Sequence, residues 1–393
     1  MTANKGFDAV VVGAGPAGSS AAFHLAKAGK KVLIIEKDRE VGRNVLCAEG
    51  ISRKFYEMVK PEKGIASEIR KIRIKVEDEI DFQVYSTKPF GYILERKIFD
   101  RLLYERAVES GATPIVGARF VDLKSTNDGY RVIALYKGRE VEFVTEWVIG
   151  ADGPASGVGL KAGFQNEFER EVVHYCSQVF LFHPEIQADT IVFFYSHELT
   201  PGGYAWVFPK STGFANVGLG VNSSWEDAEN NLNAFLNRYY PEGKILGYLR
   251  GVVPSGGIDG QLVKNRILLT GDAAKLADPM SGGGIANAYI SGDLAALAIL
   301  NNDPRLYPRM IKKNLGRDYH ISSTIRKIFY SMSHDELIGI FKDLERSLNG
   351  ANIGEIDAVS ALKLVAKVSP KLAVVLANFG GKALYEFIRD VIS

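Results

Sequence analysis

Two groups of residues have the types and spacing to act on a bound ligand. The first is Gly13-Ala14-Gly15-Pro16-Ala17-Gly18, a GxGxxG run, with Glu36 eighteen residues past its last glycine. Gly13 permits a tight turn, Gly15 lets the backbone approach a pyrophosphate, and Gly18 lets a helix pack closely on the preceding strand. A helix that opens at Pro16 and Ala17 points its free amides and positive dipole end at a diphosphate. Glu36, followed by Lys37, offers a carboxylate to both ribose hydroxyls. The elements that must position these residues are legible around them. The apolar run 7–12 reads as a buried parallel strand, 17–28 as an alanine-rich helix closed by Gly29, and 31–35 as a second strand that delivers Glu36. Strand, turn, helix, strand and acid agree on a dinucleotide, and NAD and FAD sites share this fingerprint.

The second group lies some 250 residues on. The run 266–270 reads as a strand that ends in Gly271-Asp272-Ala273-Ala274, followed by Asp278-Pro279-Met280-Ser281-Gly282-Gly283-Gly284-Ile285. Asp272 can hydrogen-bond a ribityl hydroxyl. Gly283, Gly284 and Ile285 open a helix whose amides face the N1–C2=O edge of a flavin, where negative charge develops on reduction. An elongated FAD needs such a distant second segment, and a simple NAD site does not. With Ala151-Asp152-Gly153 after the strand 147–150, the chain resembles the FAD-binding family that includes para-hydroxybenzoate hydroxylase, over residues 7 to about 300. One departure is Gly159, where hydroxylases usually carry an arginine after the Asp-Gly pair.

The segment 203–209, Gly-Tyr-Ala-Trp-Val-Phe-Pro, alternates as a strand does, so Tyr204, Trp206 and Phe208 share one face. A hairpin near 211–213 leads to a return strand whose Gly218 and Gly220 leave room beside that face. Such a wall suits a long apolar ligand. Periodicity alone serves equally well for aromatics packed into the sheet's own core. The pattern Tyr-x-Trp-x-Phe-Pro, eight residues, then Gly-x-Gly is similar to the signature of geranylgeranyl reductases. Cys47-Ala48-Glu49-Gly50 and Tyr92-Ile93-Leu94-Glu95-Arg96 match further segments of that family. These place the chain near the archaeal digeranylgeranylglycerophospholipid reductases over almost its whole length.

The resemblance implies FAD-dependent hydrogenation of C=C bonds in geranylgeranyl chains, most readily on archaeal ether phospholipid precursors. It implies substrate contacts at Tyr204, Trp206, Phe208, Pro209, Gly218 and Gly220. It puts Cys47, Ala48 and Gly50 near the flavin ring; the proton donor stays open between Cys47, which is preferred, Tyr204, an ordered water and the reduced flavin itself. A lone cysteine also serves as an inert small hydrophobe. Arg96 would reach the cofactor or pair with a neighbouring carboxylate, and a strand over 114–121 would bring the backbone near Ala118 to the adenine. The external reductant stays open between NADPH, NADH and ferredoxin. Two other functions share the fold, an aromatic monooxygenase and a FixC-like electron-transfer flavoprotein. Two cysteines cannot ligate the cluster that the latter usually carries or borrows.

Composition narrows the setting. A net charge of +2 on 393 residues, with no basic block, predicts no nucleic-acid partner. The two cysteines and six histidines form no spacing typical of a metal site. No run approaches the ~20 apolar residues of a membrane span, so the expected location is the cytoplasm, with peripheral contact at the membrane's inner face left open. The expected architecture is α/β. A Rossmann-type FAD-binding domain is assembled from 1–70, 90–165 and 255–300, and a β-sheet substrate domain from 71–89 and 166–254. A C-terminal helical region covers 301–393, where 369–376 and 383–392 read as amphipathic or apolar helices.

Overall fold

The computed structural model describes residues 6–43, 45, 47–164 and 173–353. The expected helices at 369–376 and 383–392 lie outside the described residues. An eight-stranded sheet is built around Phe7–Val12, which runs parallel to Val32–Glu36 on one side and to Arg139–Gly150 on the other. Ile267–Leu269 extends the parallel set beyond Arg139–Gly150, and Thr113–Val116 extends it beyond Val32–Glu36. Ala9, Val10 and Val11 are fully buried, as strands covered on both faces require. The register sets Val12 beside Ile35 and Gly150, and Gly150 beside Leu269. The carboxyl ends of four strands therefore open onto one crevice, the usual place for a ligand in such sheets.

The helix Pro16–Lys27 packs against Ile285–Leu300. The approach is close enough that a Cβ on Gly292 would sit 2.1 Å from the Ala17 carbonyl oxygen. The strand expected over 114–121 is in fact two. Gly117, at φ +74°, turns the chain between Thr113–Val116 and Ala118–Thr126. The second piece leaves the parallel set to pair antiparallel with Gly129–Tyr136.

A seven-stranded sheet forms the other half. Its order is Lys244–Pro254, Val173–Phe182, Phe214–Val221, Ala205–Ser211, Thr190–Tyr195, Lys71–Val76 and Ile80–Tyr85. One face is covered by the helix Trp225–Tyr239, which buries Ala228, Leu232, Phe235 and Leu236 against Ala205, Val207 and Val217. The opposite face carries Trp206 and Phe208, as the two-residue period of a strand demands. The helix His334–Leu348 packs Leu337, Ile338 and Phe341 against the Lys71–Tyr85 end of that face. The long helix Leu306–Ser331 bridges the two halves. A small sheet of Gly50–Ser52, Gly91–Leu94 and Ile65–Ile69 closes the side between them. No described helix is long and apolar enough to cross a membrane.

Candidate active site

One cavity of about 1060 Å³ runs from the crevice of the parallel sheet to the aromatic face of the second sheet. At the crevice end it is lined by Gly13, Gly15, Pro16, Ala17, Glu36, Lys37 and Ala118. In the middle lie Cys47, Ala48, Gly50 and Arg96, opposite Asp272, Gly283, Gly284 and Ile285. At the far end stand Tyr204, Trp206, Phe208 and Gly220.

Three residues of the motifs are absent from the lining, each for a structural reason. A Cβ on Gly18 would lie 1.9 Å from the Gly13 carbonyl oxygen, so this glycine serves the strand–helix packing and not the ligand surface. Pro209 falls on the same side of its strand as Ala205 and Val207, away from the cavity. Gly218 faces the right way, but its space is taken by the Trp206 indole, whose Cζ2 would be 2.6 Å from a Cβ there. Gly218 thus seats the wall, and Gly220 opens to the cavity.

The crevice end fits a dinucleotide. The helix Pro16–Lys27 starts at Gly15 with no side chain capping its first turn and no acid within it. Its amides are left for an anion. A Cβ at Gly15 would meet nothing within 4 Å, so the backbone is open to the cavity at that point. Glu36 is held by two backbone amides, Ala14 N–H to Oε2 at 2.8 Å and Asp38 N–H to Oε1 at 2.9 Å. A carboxylate accepts about four hydrogen bonds, and its capacity for ribose hydroxyls is therefore half used and well oriented.

The middle of the cavity concentrates buried charge. Arg96, first residue of the helix Arg96–Glu109, makes a bidentate pair with Asp100, at 2.6 and 2.8 Å. It satisfies a neighbouring carboxylate while still lining the cavity. Lys210 bridges Glu49 and Glu95, the latter at 3.0 Å. Burial pushes the Asp272 carboxyl up to about 6 against the opposing Arg96 charge. Burial likewise raises the Cys47 thiol, and Arg96 offsets it only in part. Cys176 is driven to about 12 by burial and stays a thiol.

The aromatic end is a connected assembly. Tyr204 and Trp206 rings meet at 5.8 Å, and Phe193 meets both Tyr204 and Phe208 at 5.6 Å. Burial lifts the Tyr204 phenol far above its ordinary value, and its hydroxyl donates to the Ser281 carbonyl. Gln178 ties this wall to the cysteine turn: Trp206 Nε1 donates to its Oε1, and its Nε2 donates to the Cys47 carbonyl, both at 3.1 Å. Burial lowers His174, which also lines the cavity, to about 4, so it is neutral at physiological pH.

Sequence reasoning missed Gln178, Phe193, Lys210 and the cavity-facing Leu315 and Tyr319 of the long helix. Gln178 carried a signal, as a lone amide before the apolar run 179–182. Lys210 carried none.

A flavoprotein fold with a long apolar annex is what these features define, and the FAD binding domain family matches residues 7–291, more than half of the chain. The digeranylgeranylglycerophospholipid reductase of Methanothrix thermoacetophila is 35% identical over 383 residues, covering 93% of this chain and 97% of that protein. The reductase of the same name from Methanosarcina mazei is 34% identical, covering 93% of this chain and 94% of its own length. The crystal structure of a geranylgeranyl bacteriochlorophyll reductase-like protein from Thermoplasma acidophilum superimposes with a TM-score of 0.87 at 29% identity. It covers 95% of this chain and 99% of its own. A flavin-dependent brominase shares the fold alone, with a TM-score of 0.64 at 16% identity and 98% of both chains covered. The chain belongs to the FAD-binding family of digeranylgeranylglycerophospholipid reductases.

Proposed function

We propose that this protein hydrogenates C=C bonds of geranylgeranyl chains on archaeal ether phospholipid precursors, in membrane lipid biosynthesis. The observation that carries this reading is continuity. The cavity that suits a dinucleotide runs without a break into the wall of Tyr204, Trp206 and Phe208. A small aromatic substrate needs no such length, whereas a prenyl chain does.

When bound, FAD in its reduced form supplies a hydride to one carbon of an unactivated alkene. The backbone N–H groups of Gly15 and Ala17 and the Glu36 carboxylate hold the nucleotide half, with Pro16, Lys37 and Ala118 beside them. Asp272, Gly283, Gly284 and Ile285 hold the ribityl and ring half, with Arg96, Ala48 and Gly50 across the cavity. Tyr204, Trp206, Phe208 and Gly220 lay the chain along the wall and exclude water from the alkene. We assign Cys47 the role of holding a proton at Sγ. Its raised pKa keeps it a thiol at neutral pH, which suits a donor and not a nucleophile. Tyr204 is the weaker candidate, since its proton is engaged by the Ser281 carbonyl. The electron donor is a nicotinamide nucleotide or a ferredoxin, and the lipid is met by peripheral contact with the membrane.

The test is anaerobic. Flavin reduced with dithionite is mixed with geranylgeranyl lipid, and the lipid is weighed by mass spectrometry. Flavin reoxidation with gain of two mass units per bond reduced is the expected result. Absence of lipid turnover, together with oxygen-dependent hydroxylation of a phenol, overturns the proposal.

A further inference from the structure

Away from the cavity, three chain segments converge on the outer end of the seven-stranded sheet with a set of side chains that the proposed reaction does not use. Glu77 and Glu79 lie in the turn between Lys71–Val76 and Ile80–Tyr85. His197 follows the strand Thr190–Tyr195, and His334 is the first residue of the helix His334–Leu348. The ligand atoms of Glu77, His197 and His334 all lie within 4.8 Å of one another. His197 Nδ1 is 3.4 Å from Glu77 Oε1, and His334 Nε2 is 3.4 Å from Glu79 Oε1. The two imidazole rings stand 5.5 Å apart at 61°.

These spacings carry a chemical meaning. Zinc bound by nitrogen and oxygen at about 2.0–2.1 Å in a tetrahedron has ligand atoms roughly 3.3 Å apart. Both histidine–carboxylate separations already match that edge, and a small inward movement of two half-exposed rings completes the set. The backbone N–H of His197 donates to Glu77 Oε1 at 2.7 Å, which orients the carboxylate as outer hydrogen bonds orient metal ligands. Lys342 pairs with the group from the side, its Nζ 3.2 Å from Glu79 Oε2.

We propose that Glu77, His197 and His334, with Glu79 or a water as the fourth ligand, form a structural site for a divalent cation of the zinc class. Imidazole with carboxylate selects zinc, cobalt or nickel over magnesium or calcium. The ion fastens the start of the helix His334–Leu348 to the edge of the substrate sheet. That helix holds Phe341 against Tyr195 at 5.9 Å, and Tyr195 contacts Tyr204 of the cavity wall at 6.0 Å. The clamp therefore steadies the far side of the aromatic wall without touching the reacting atoms.

The experiment uses tag-free, flavin-loaded protein stripped with chelator and titrated with Zn2+. Bound metal is counted by mass spectrometry, and the geometry is read from the visible bands of Co2+ in its place. The expected result is one ion per chain, four-coordinate cobalt bands and a raised melting temperature. His197→Ala and His334→Gln, both on half-exposed side chains, each weaken binding at least tenfold, with flavin content and far-UV circular dichroism unchanged. Lys342→Ala keeps the stoichiometry. No stoichiometric binding, or wild-type affinity in both histidine variants, overturns the proposal.

Discussion

Gln178 is the best place to test whether the wall and the cysteine turn act as one unit. Its side chain is almost fully buried in Val173–Phe182 and has two partners from different elements, the Trp206 indole and the Cys47 carbonyl. Gln178→Leu keeps the approximate volume and removes both hydrogen bonds. Where water replaces the amide, each lost bond costs about 0.5–1.5 kcal/mol, and where it does not, each orphaned group costs about 1–3 kcal/mol. The indole N–H lies in a buried wall and takes the larger figure. The Cys47 carbonyl is beside the cavity and takes the smaller. The sum is about 2–4 kcal/mol, measured by urea unfolding of the flavin-free protein followed by far-UV circular dichroism. Trp206→Phe removes only the indole partner. Combined with Gln178→Leu, it recovers about 1 kcal/mol relative to additivity, because the same bond is broken once. Additivity within about 0.5 kcal/mol refutes the link. So does a Gln178→Leu cost below that figure. Lipid turnover is read in parallel and falls in Gln178→Leu at full flavin occupancy, because the turn bearing Cys47 loses its tether.

Three further outcomes are expected. Gly18→Ala forces a Cβ to within 1.9 Å of the Gly13 carbonyl, so flavin content of the purified protein drops at least tenfold. Retention of full yellow colour contradicts the assigned packing role. Trp206→Ala lowers lipid turnover at least tenfold with flavin content kept, and parallel loss of both identifies the indole as structural. Asp272→Asn tests the buried carboxyl. Its pKa, pushed up to about 6, exceeds the unfolded value of about 3.9. The folded form therefore binds more protons between those values, and this carboxyl lowers stability as pH rises from about 4 to about 6. His174, depressed to about 4, slopes the opposite way in an overlapping window, so the comparison is variant against wild type. The urea midpoint of flavin-free Asp272→Asn rises relative to wild type across that window and stays level above it. A difference independent of pH rejects the assignment.

The crevice end was legible in the sequence because local backbone builds it. Gly13 and Gly15 are placed by turn geometry and Glu36 by strand register, all set by residues close in the chain. The aromatic wall was legible for a related reason, since a two-residue period assigns Trp206 and Phe208 to one face without knowledge of the rest. The same period places Pro209 on the other face, yet it was grouped with the wall because the family signature runs through it. Gly218 was misplaced in a subtler way. A missing side chain signals space, and only the packed structure tells whether ligand or neighbour fills it.

What stayed hidden depends on partners far apart in sequence. Glu49 and Lys210 are 161 positions apart, and Gln178 and Cys47 are 131 apart. No local pattern ties such residues together, because each is ordinary in its own segment. The burial that matters is created only when the two sheets close on each other. Cys47 shows the consequence. Its residue type and turn made it a candidate, but a thiol's usefulness depends on whether it ionises. That is decided by desolvation between the two halves and by an Arg96 whose charge is shared with Asp100. If Asp100→Asn frees Arg96 to act on the thiol, the Cys47 pKa falls. The rate of alkylation by iodoacetamide in the flavin-free protein then rises at fixed pH. An unchanged rate means that burial alone governs this thiol, and that the Arg96 charge has no part in lowering its pKa.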